Sequence, residues 1–277
     1  MKYFPIIAVF SIMLLLCGCS LFDPQVVVSE PFLQKQPDKL VNLTCGDYTV
    51  TTGKRFNGKI AKLAFQGKDL FVKAGATQLG TLYEAPFPKD KNAKFSITVD
   101  GVTPEFIDGD ISGKEIMIRR SSDYGDLKIF SNYTLNGEGL TWSVRYRIVS
   151  EKHKARYFYL FTVPWSTDFT EFVYWKNKEQ KSGRFTDSKK WLLCDDIDHM
   201  VLYSPKLKVG TVTEVVGKLP TEIRRHTLWD MPYYHKYFLF HAKPEWKAGF
   251  ESEVYTLKLR AFAADEKNYI QKSNIKQ

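Results

Sequence analysis

Apart from Cys17 and Cys19 near its start, the chain carries only two cysteines, Cys45 and Cys194. No Cys-x-x-Cys pair and no His/Cys zinc spacing is present, which excludes zinc ribbons and dithiol redox centres. No apolar run reaches the ~20 residues that a membrane-spanning helix needs. A glycine-rich phosphate loop, a nucleophile elbow and a His-Glu-x-x-His pair are all missing, and with them the nucleotide-binding, serine-esterase and zinc-peptidase signatures. No repeat recurs at a fixed period and no long stretch keeps a helical period. The formal charge is +9, yet the lysines are spread along the chain and form no dense basic block. That distribution reads as a solvated surface, with an acidic glycan or an anionic membrane as the other reading. No cofactor is expected.

What the chain does have begins with its first residues. Lys2 provides a positive start, Phe4 to Leu16 an apolar run, and Leu16-Cys17-Gly18-Cys19 closes it. The run is too short to span a bilayer and has the layout of a removed signal. It resembles the signal peptide and lipobox of bacterial lipoproteins. The resemblance implies cleavage before Cys19, acylation of that residue, and a place in the cell envelope, held to membrane lipid. Several acyl chains on one residue anchor stably where one alone does not. Nucleic acid is then not an expected partner, and protein partners stay unknown.

Four segments follow: a signal at 1–18, a lipidated Pro-containing tether at 19–39, a β domain at 40–263 and a polar tail at 264–277 that forms a short helix or frays. Hydrophobic content of 44% and aromatic content of 15% suffice for a core. Trp142, Val144, Tyr146 and Ile148 alternate with Ser143, Arg145 and Arg147, the period of a half-buried strand. Tyr255, Leu257, Leu259 and Ala261 repeat this pattern, as do Phe95, Ile97 and Val99. Arg156 to Val163 is nearly continuous in aromatics and predicts a strand covered on both faces. Turn signals at Asn57-Gly58, Gly67-Lys68-Asp69, Asp100-Gly101, Asp108-Gly109-Asp110 and Asn136-Gly137 separate the strands. The expected fold is all-β, a large antiparallel sandwich. Cys45 and Cys194 either form a disulfide, which an oxidising compartment permits, or are two separate buried thiols.

Two stretches carry a further resemblance. Asn57-Gly58-Lys59-Ile60-Ala61-Lys62-Leu63 with Gly67-Lys68-Asp69-Leu70-Phe71 forms a glycine-turned hairpin. Trp246-Lys247-Ala248-Gly249-Phe250-Glu251-Ser252-Glu253 leads into the strand Val254 to Arg260. Together with the strands between them, these resemble the galactose mutarotase-like superfamily over about Leu40 to Phe262. The resemblance implies a supersandwich that handles carbohydrate. It departs from true sugar mutarotases, because Arg156-Tyr157-Phe158-Tyr159-Leu160 offers no mid-chain His, and Glu245, Glu251 and Glu253 sit in no base motif.

The densest polar-aromatic stretch runs from Arg224 to His235. A sugar site needs flat rings and charged groups: Trp229 and Tyr233 have the first property, Arg225 and Asp230 the second. His226, Tyr234 and His235 have the types of an acid–base set, with Arg225 to offset a developing carboxylate charge. The alternative is a rim loop with core aromatics. Asp195, Asp196 and Asp198 could hold a cation through oxygen ligands, Asp198 and His199 could pair as acid and base, or the stretch is a solvated acidic turn. The leading expectation is a lipid-anchored protein that binds or handles carbohydrate. A lyase or epimerase on acidic sugars, and a non-catalytic envelope assembly protein, are the alternatives.

Overall fold

Alternating side chains are stable only where one face of a strand is buried, and three sheets provide that face. The computed structural model describes residues 39–79, 93–152, 157–217, 219, 223, 226–241 and 245–273, without the side chains of 76–79, 240 and 241. Cys19, Arg225 and nearly all of the expected tether lie outside the described residues.

In chain order the strands begin with β1 (Val41–Cys45), β2 (Tyr48–Thr52), β3 (Lys62–Phe65), β4 (Lys68–Asp69), β5 (Ala76–Leu79), β6 (Lys94–Val99) and β7 (Ile111–Ser112). They continue with β8 (Glu115–Asp123), β9 (Leu127–Asn136), β10 (Gly139–Ile148), β11 (Phe158–Trp165), β12 (Glu171–Lys176) and β13 (Glu179–Arg184). The last are β14 (Trp191–Asp195), β15 (His199–Ser204), β16 (Val209–Val216), β17 (His226–Met231), β18 (Tyr234–His241) and β19 (Tyr255–Ala263). They form a five-stranded sheet in the order β4-β3-β2-β1-β7, a nine-stranded sheet β13-β12-β15-β16-β19-β10-β9-β8-β6, and a second five-stranded sheet β14-β17-β18-β11-β5. The pairings are antiparallel, except that β1 runs parallel to β7.

The three sheets share one apolar core. Leu43 and Val50 come from the first sheet, Trp142 and Leu257 from the second, Leu160 and Leu228 from the third. Trp142 meets Phe161 edge-on at 5.2 Å and Tyr146 meets Phe158 at 4.9 Å. Such ring pairs add about 0.5–1.5 kcal/mol each beyond the area they bury. The Tyr48 hydroxyl donates to the Ala261 carbonyl at 2.9 Å, tying the first sheet to the second. A bridge between Phe71 and Trp165 links the first sheet to the third. The large antiparallel β-sandwich expected from the patterning is the fold observed.

One local expectation changes and another is narrowed. The run 156–163 is not uniformly covered: Tyr159 stays partly exposed. The register of β11 against β18 shifts between Leu160 and Val163, with Phe161 at a φ of 52°. This bulge buries Leu160 and Phe161 in succession, which is why the sequence reads as continuous there. Beyond Ala264 the described residues take the short-helix alternative. The helix α1 (Tyr269–Lys272) lays Tyr269 flat on Tyr203, with rings 4.4 Å apart and 4° from parallel. That contact closes a second apolar cluster with Val173, Trp175, Val201 and Val212 on the far side of the nine-stranded sheet. No helix among the described residues is long and apolar enough to cross a membrane.

Candidate functional site

The hairpin of β17 and β18 divides the polar-aromatic stretch between two faces. His226 pairs with Leu239, Leu228 with Tyr237, and Asp230 with His235. Alternating with them, Thr227 pairs with Phe238, Trp229 with Lys236, and Met231 with Tyr234. Successive side chains on a strand point to opposite faces. The first set therefore joins the core, where Leu228, Tyr237 and Leu239 belong. The second set lies on the other face, where Thr227, Phe238 and Lys236 are buried and Trp229, Met231 and Tyr234 are partly exposed.

The inward polar groups are only partly satisfied: Asp230 Oδ1 and both ring nitrogens of His235 are buried without a hydrogen bond among the described residues. His226 is 3% exposed and its Nδ1 lies 2.8 Å from the Tyr237 hydroxyl. Burial lowers the imidazole to about 4 and pushes the Tyr237 phenol up. Asp230 Oδ2 accepts the Thr186 N–H at 3.0 Å, the Ser188 N–H at 2.8 Å and the Ser188 hydroxyl at 2.9 Å. Burial raises the Asp230 pKa, but these donors and His235 outweigh it and hold the carboxyl below its ordinary value. Asp230 Oδ1 is 3.4 Å from His235 Nδ1. The His235 ring stacks on Phe185 at 3.6 Å and 10°. Burial lowers the His235 pKa despite the nearby carboxylates.

An ionised Asp beside a neutral His has the composition of a catalytic dyad. Both side chains are sealed in the core, however. His226 and His235, expected as acid–base groups, and Asp230, expected as a sugar ligand, are thus corrected to core residues, of which Asp230 holds the 186–188 segment. The physical reason is strand parity. Tyr234 is on the outer side, partly buried, with Lys73 Nζ 4.6 Å from its ring centre. Tyr233 is 77% exposed in the hairpin turn, off the sheet. Trp229 alone among the expected ring groups lies on the outer face of the sheet, partly exposed.

That face carries an aromatic surface of which the sequence reading found only Trp229. Trp191 of β14 is 46% exposed and packs 6.3 Å from both Trp229 and Phe238. Tyr159 of β11 meets Phe238 at 4.5 Å and Tyr157 at 5.1 Å. The Trp229 indole N–H donates to the Lys189 carbonyl at 3.2 Å, which fixes the ring plane. Lys236 stands in the middle. Its Nζ is 4.5 Å from the Tyr159 ring centre, 5.1 Å from that of Phe238 and 5.9 Å from that of Trp229. Burial lowers the Lys236 ammonium to about 8. Alternation within 226–231 was the one local signal for this face. The arrival of Trp191 and Tyr159 beside Trp229 depends on strand order.

The acidic stretch does not assemble a cation site. Asp195 pairs with Lys176 Nζ at 2.6 Å, and that bond holds its carboxyl below the ordinary range. The Asp198 N–H donates to the Trp175 carbonyl at 2.9 Å. The His199 ring lies against Trp175 at 4.6 Å, and its burial lowers its pKa. Among the described residues, no three His, Cys, Asp or Glu side chains are grouped to hold a metal, so the cation reading of Asp195, Asp196 and Asp198 is corrected: Asp195 ends β14 in an ion pair with Lys176, and Asp196 and Asp198 follow it outside the strands. Cys45 is buried in the first sheet, Cys194 is exposed in the third, and both are free thiols. The disulfide alternative is thereby removed, and the expectation of two buried thiols is corrected at Cys194, which lies exposed in β14. Burial raises the Cys45 thiol to about 11.

No protein-family model matches the chain, and no curated protein matches its sequence. Solved structures do resemble it. An α-N-acetylgalactosaminidase from Bifidobacterium bifidum superposes with a TM-score of 0.54 at 8% identity, over 84% of this chain and 37% of that one. A galactose mutarotase-like protein from Lactobacillus casei ATCC 334 gives a TM-score of 0.48 at 9% identity, over 81% of this chain and 100% of that one. A galactose mutarotase-like protein from Clostridium acetobutylicum gives 0.45 at 10% identity, over 80% and 94%. At such identities a likeness speaks to fold and not to activity. The fold it speaks to is the large antiparallel β-sandwich that also forms part of the Bifidobacterium protein.

Proposed function

We propose that this protein binds carbohydrate on the outer face of the β14-β17-β18-β11-β5 sheet. The observation that carries the reading is the row of rings Trp191, Trp229, Tyr159 and Tyr157, each exposed or partly exposed, packed over the buried Phe238. Flat rings held by neighbours present a rigid apolar surface to the C–H faces of a sugar at small entropic cost. The α-N-acetylgalactosaminidase that shares the fold adds support at the level of ligand class. The inward placement of His226 and His235 leaves the face with no acid–base pair from those residues, so the reading is binding, with no reaction assigned. The expected acylation of Cys19 would hold this face in the cell envelope, and its support is the pattern from Lys2 to Cys19.

The test is a titration of a glycan panel, including uronate and sulfated polymers, followed by tryptophan fluorescence. Saturable binding to one polymer class is expected, with Trp191→Ala and Trp229→Ala each weakening it about tenfold or more. Binding that is unchanged in the double variant, or folded protein retained by no glycan, overturns the reading.

A further inference from the structure

Residues 185–190 leave β13 in the nine-stranded sheet and enter β14 in the third. They form no strand or helix of their own, so no ladder fixes their shape. Asp187 and Lys189 take φ of 53° and 59° among them. That left-handed region is uncommon for residues other than glycine and persists where the surroundings enforce it. Two inward contacts enforce it here. The Phe185 ring stacks on His235 at 3.6 Å. Asp230 Oδ2 accepts the Thr186 N–H, the Ser188 N–H and the Ser188 hydroxyl at 3.0, 2.8 and 2.9 Å. Asp230 is 0% exposed, so these charge-assisted bonds form away from water, where they are strong.

The same segment then reaches the outer rings. The Lys189 carbonyl accepts the Trp229 indole N–H at 3.2 Å. The Lys190 carbonyl accepts the Asp230 N–H at 2.9 Å. The next residue is Trp191, whose ring lies 6.3 Å from Trp229. The segment is thus held by the Asp230 carboxylate on the inner side and holds Trp229 on the outer side.

Resting on the carbohydrate reading above, we propose that Asp230 is the positioning residue of the ring surface: its carboxylate sets the 186–190 segment, and the Lys189 and Lys190 carbonyls then set the plane of Trp229 and the place of Trp191. Asp230 is sealed in the core, so it acts through that segment and not by touching a sugar. Rings already held in place lose less freedom on binding. Freeing the segment therefore weakens binding even though every ring is still present.

The experiment uses the full chain with ¹⁵N-labelled tryptophan and reads the exchange of each indole N–H with water by NMR. The Trp229 signal is the one lost in Trp229→Phe. In Asp230→Ala its exchange should rise about fivefold or more, the mark of a local opening. Trp246 is the internal control. Its N–H donates to the Ser150 carbonyl at 3.2 Å, and it packs against Phe158, at the far end of β11 from the Trp165–His235 pair. Its exchange should not change. Asp230→Asn keeps an acceptor oxygen and should keep Trp229 protected. Ser188→Ala, which removes one donor and serves if Asp230→Ala does not fold, should raise Trp229 exchange by less. Unchanged Trp229 exchange in folded Asp230→Ala, or in Ser188→Ala in its place, overturns the positioning. A rise that Trp246 shares means general loosening and overturns it too. Affinity electrophoresis in gels holding each polymer of the glycan panel, uronate and sulfated polymers among them, reads the effect on binding. Asp230→Ala should be retained about fivefold more weakly than the wild type, and Asp230→Asn nearly as well as the wild type. Equal retention of the wild type and Asp230→Ala overturns the role of Asp230 in binding. Wild type retained by no polymer defeats the carbohydrate reading, while the exchange measurement still decides whether Asp230 positions the rings.

Discussion

His235 and Lys236 are neighbours on β18 and belong to opposite sides of the same sheet. His235 stacks on Phe185 at 3.6 Å within the core, while Lys236 Nζ stands 4.5 Å from the Tyr159 ring on the outer face. Substitutions along this hairpin should therefore sort by face and burial, with inward residues and the buried Thr227 and Phe238 governing stability and the partly exposed Trp229 governing binding.

The Asp230 carboxylate tests the inward half. Asp230→Ala removes three hydrogen bonds from Thr186 and Ser188 and leaves those donors without their acceptor. It should lower unfolding stability by about 2–4 kcal/mol. Trp191→Ala, at an exposed position, should cost no more than about 1 kcal/mol. Urea denaturation of the two variants checks this, and equal losses would contradict the assignment of faces.

Acid sensitivity follows from His226. Its imidazole titrates at about 4 in the fold, against 6.5 in an unfolded chain. The unfolded state takes up the proton first, so the contribution is fully present above about 6.5 and is lost as pH falls towards 4, by about 3 kcal/mol in all. His235 and His199 shift in the same direction. In His226→Gln the drop in urea midpoint between pH 7 and 4.5 should be smaller than in the wild type. Parallel slopes would mean that His226 does not titrate in this window.

Thiol chemistry should differ between the two cysteines of the described fold. Cys194 is exposed and should react with maleimide in the native protein. Cys45 is buried with a thiol raised to about 11, and should react only after unfolding. Peptide mapping of the label reads both. A Cys45–Cys194 crosslinked peptide from non-reduced protein would contradict the two-thiol arrangement.

Glycine at position 139 is required by a neighbouring backbone. A Cβ there would come 2.3 Å from the Leu259 carbonyl oxygen, and its φ of 139° lies outside the range that side chains prefer. Gly139→Ala should destabilise by at least about 2 kcal/mol, since a paired strand cannot withdraw as a side chain can. Thermal unfolding measures it, and an unchanged midpoint would show that β10 and β19 part easily.

Lipid anchoring is tested at Cys19. The protein expressed in a bacterial host should partition with membranes and carry an acyl mass on its N-terminal peptide. Cys19→Ser should release it to the soluble fraction. Partitioning that ignores this substitution would reject acylation at this residue.

Much of the sandwich was legible because alternation is a local property. Trp142, Val144, Tyr146 and Ile148 are buried in β10 as their spacing predicts. Asp100 and Gly101 both take positive φ, 48° and 81°, as a two-residue hairpin turn requires. The candidate site was less legible. Residues 224–235 look like one cluster in the sequence, but strand parity sends His226, Asp230 and His235 inward and Trp229 outward. Tyr269 likewise sits in a polar tail by composition, yet it packs on Tyr203.

Taken alone, the sequence determined that the chain forms an antiparallel β-sandwich with a signal-like start, because hydrophobic period and turn chemistry act over a few neighbouring residues. Only the tertiary structure decided which residues share a surface. Trp191, Tyr159, Trp229 and Lys236 meet because β14, β11, β17 and β18 lie in one sheet. That strand order follows from how the whole core packs, which no local pattern encodes.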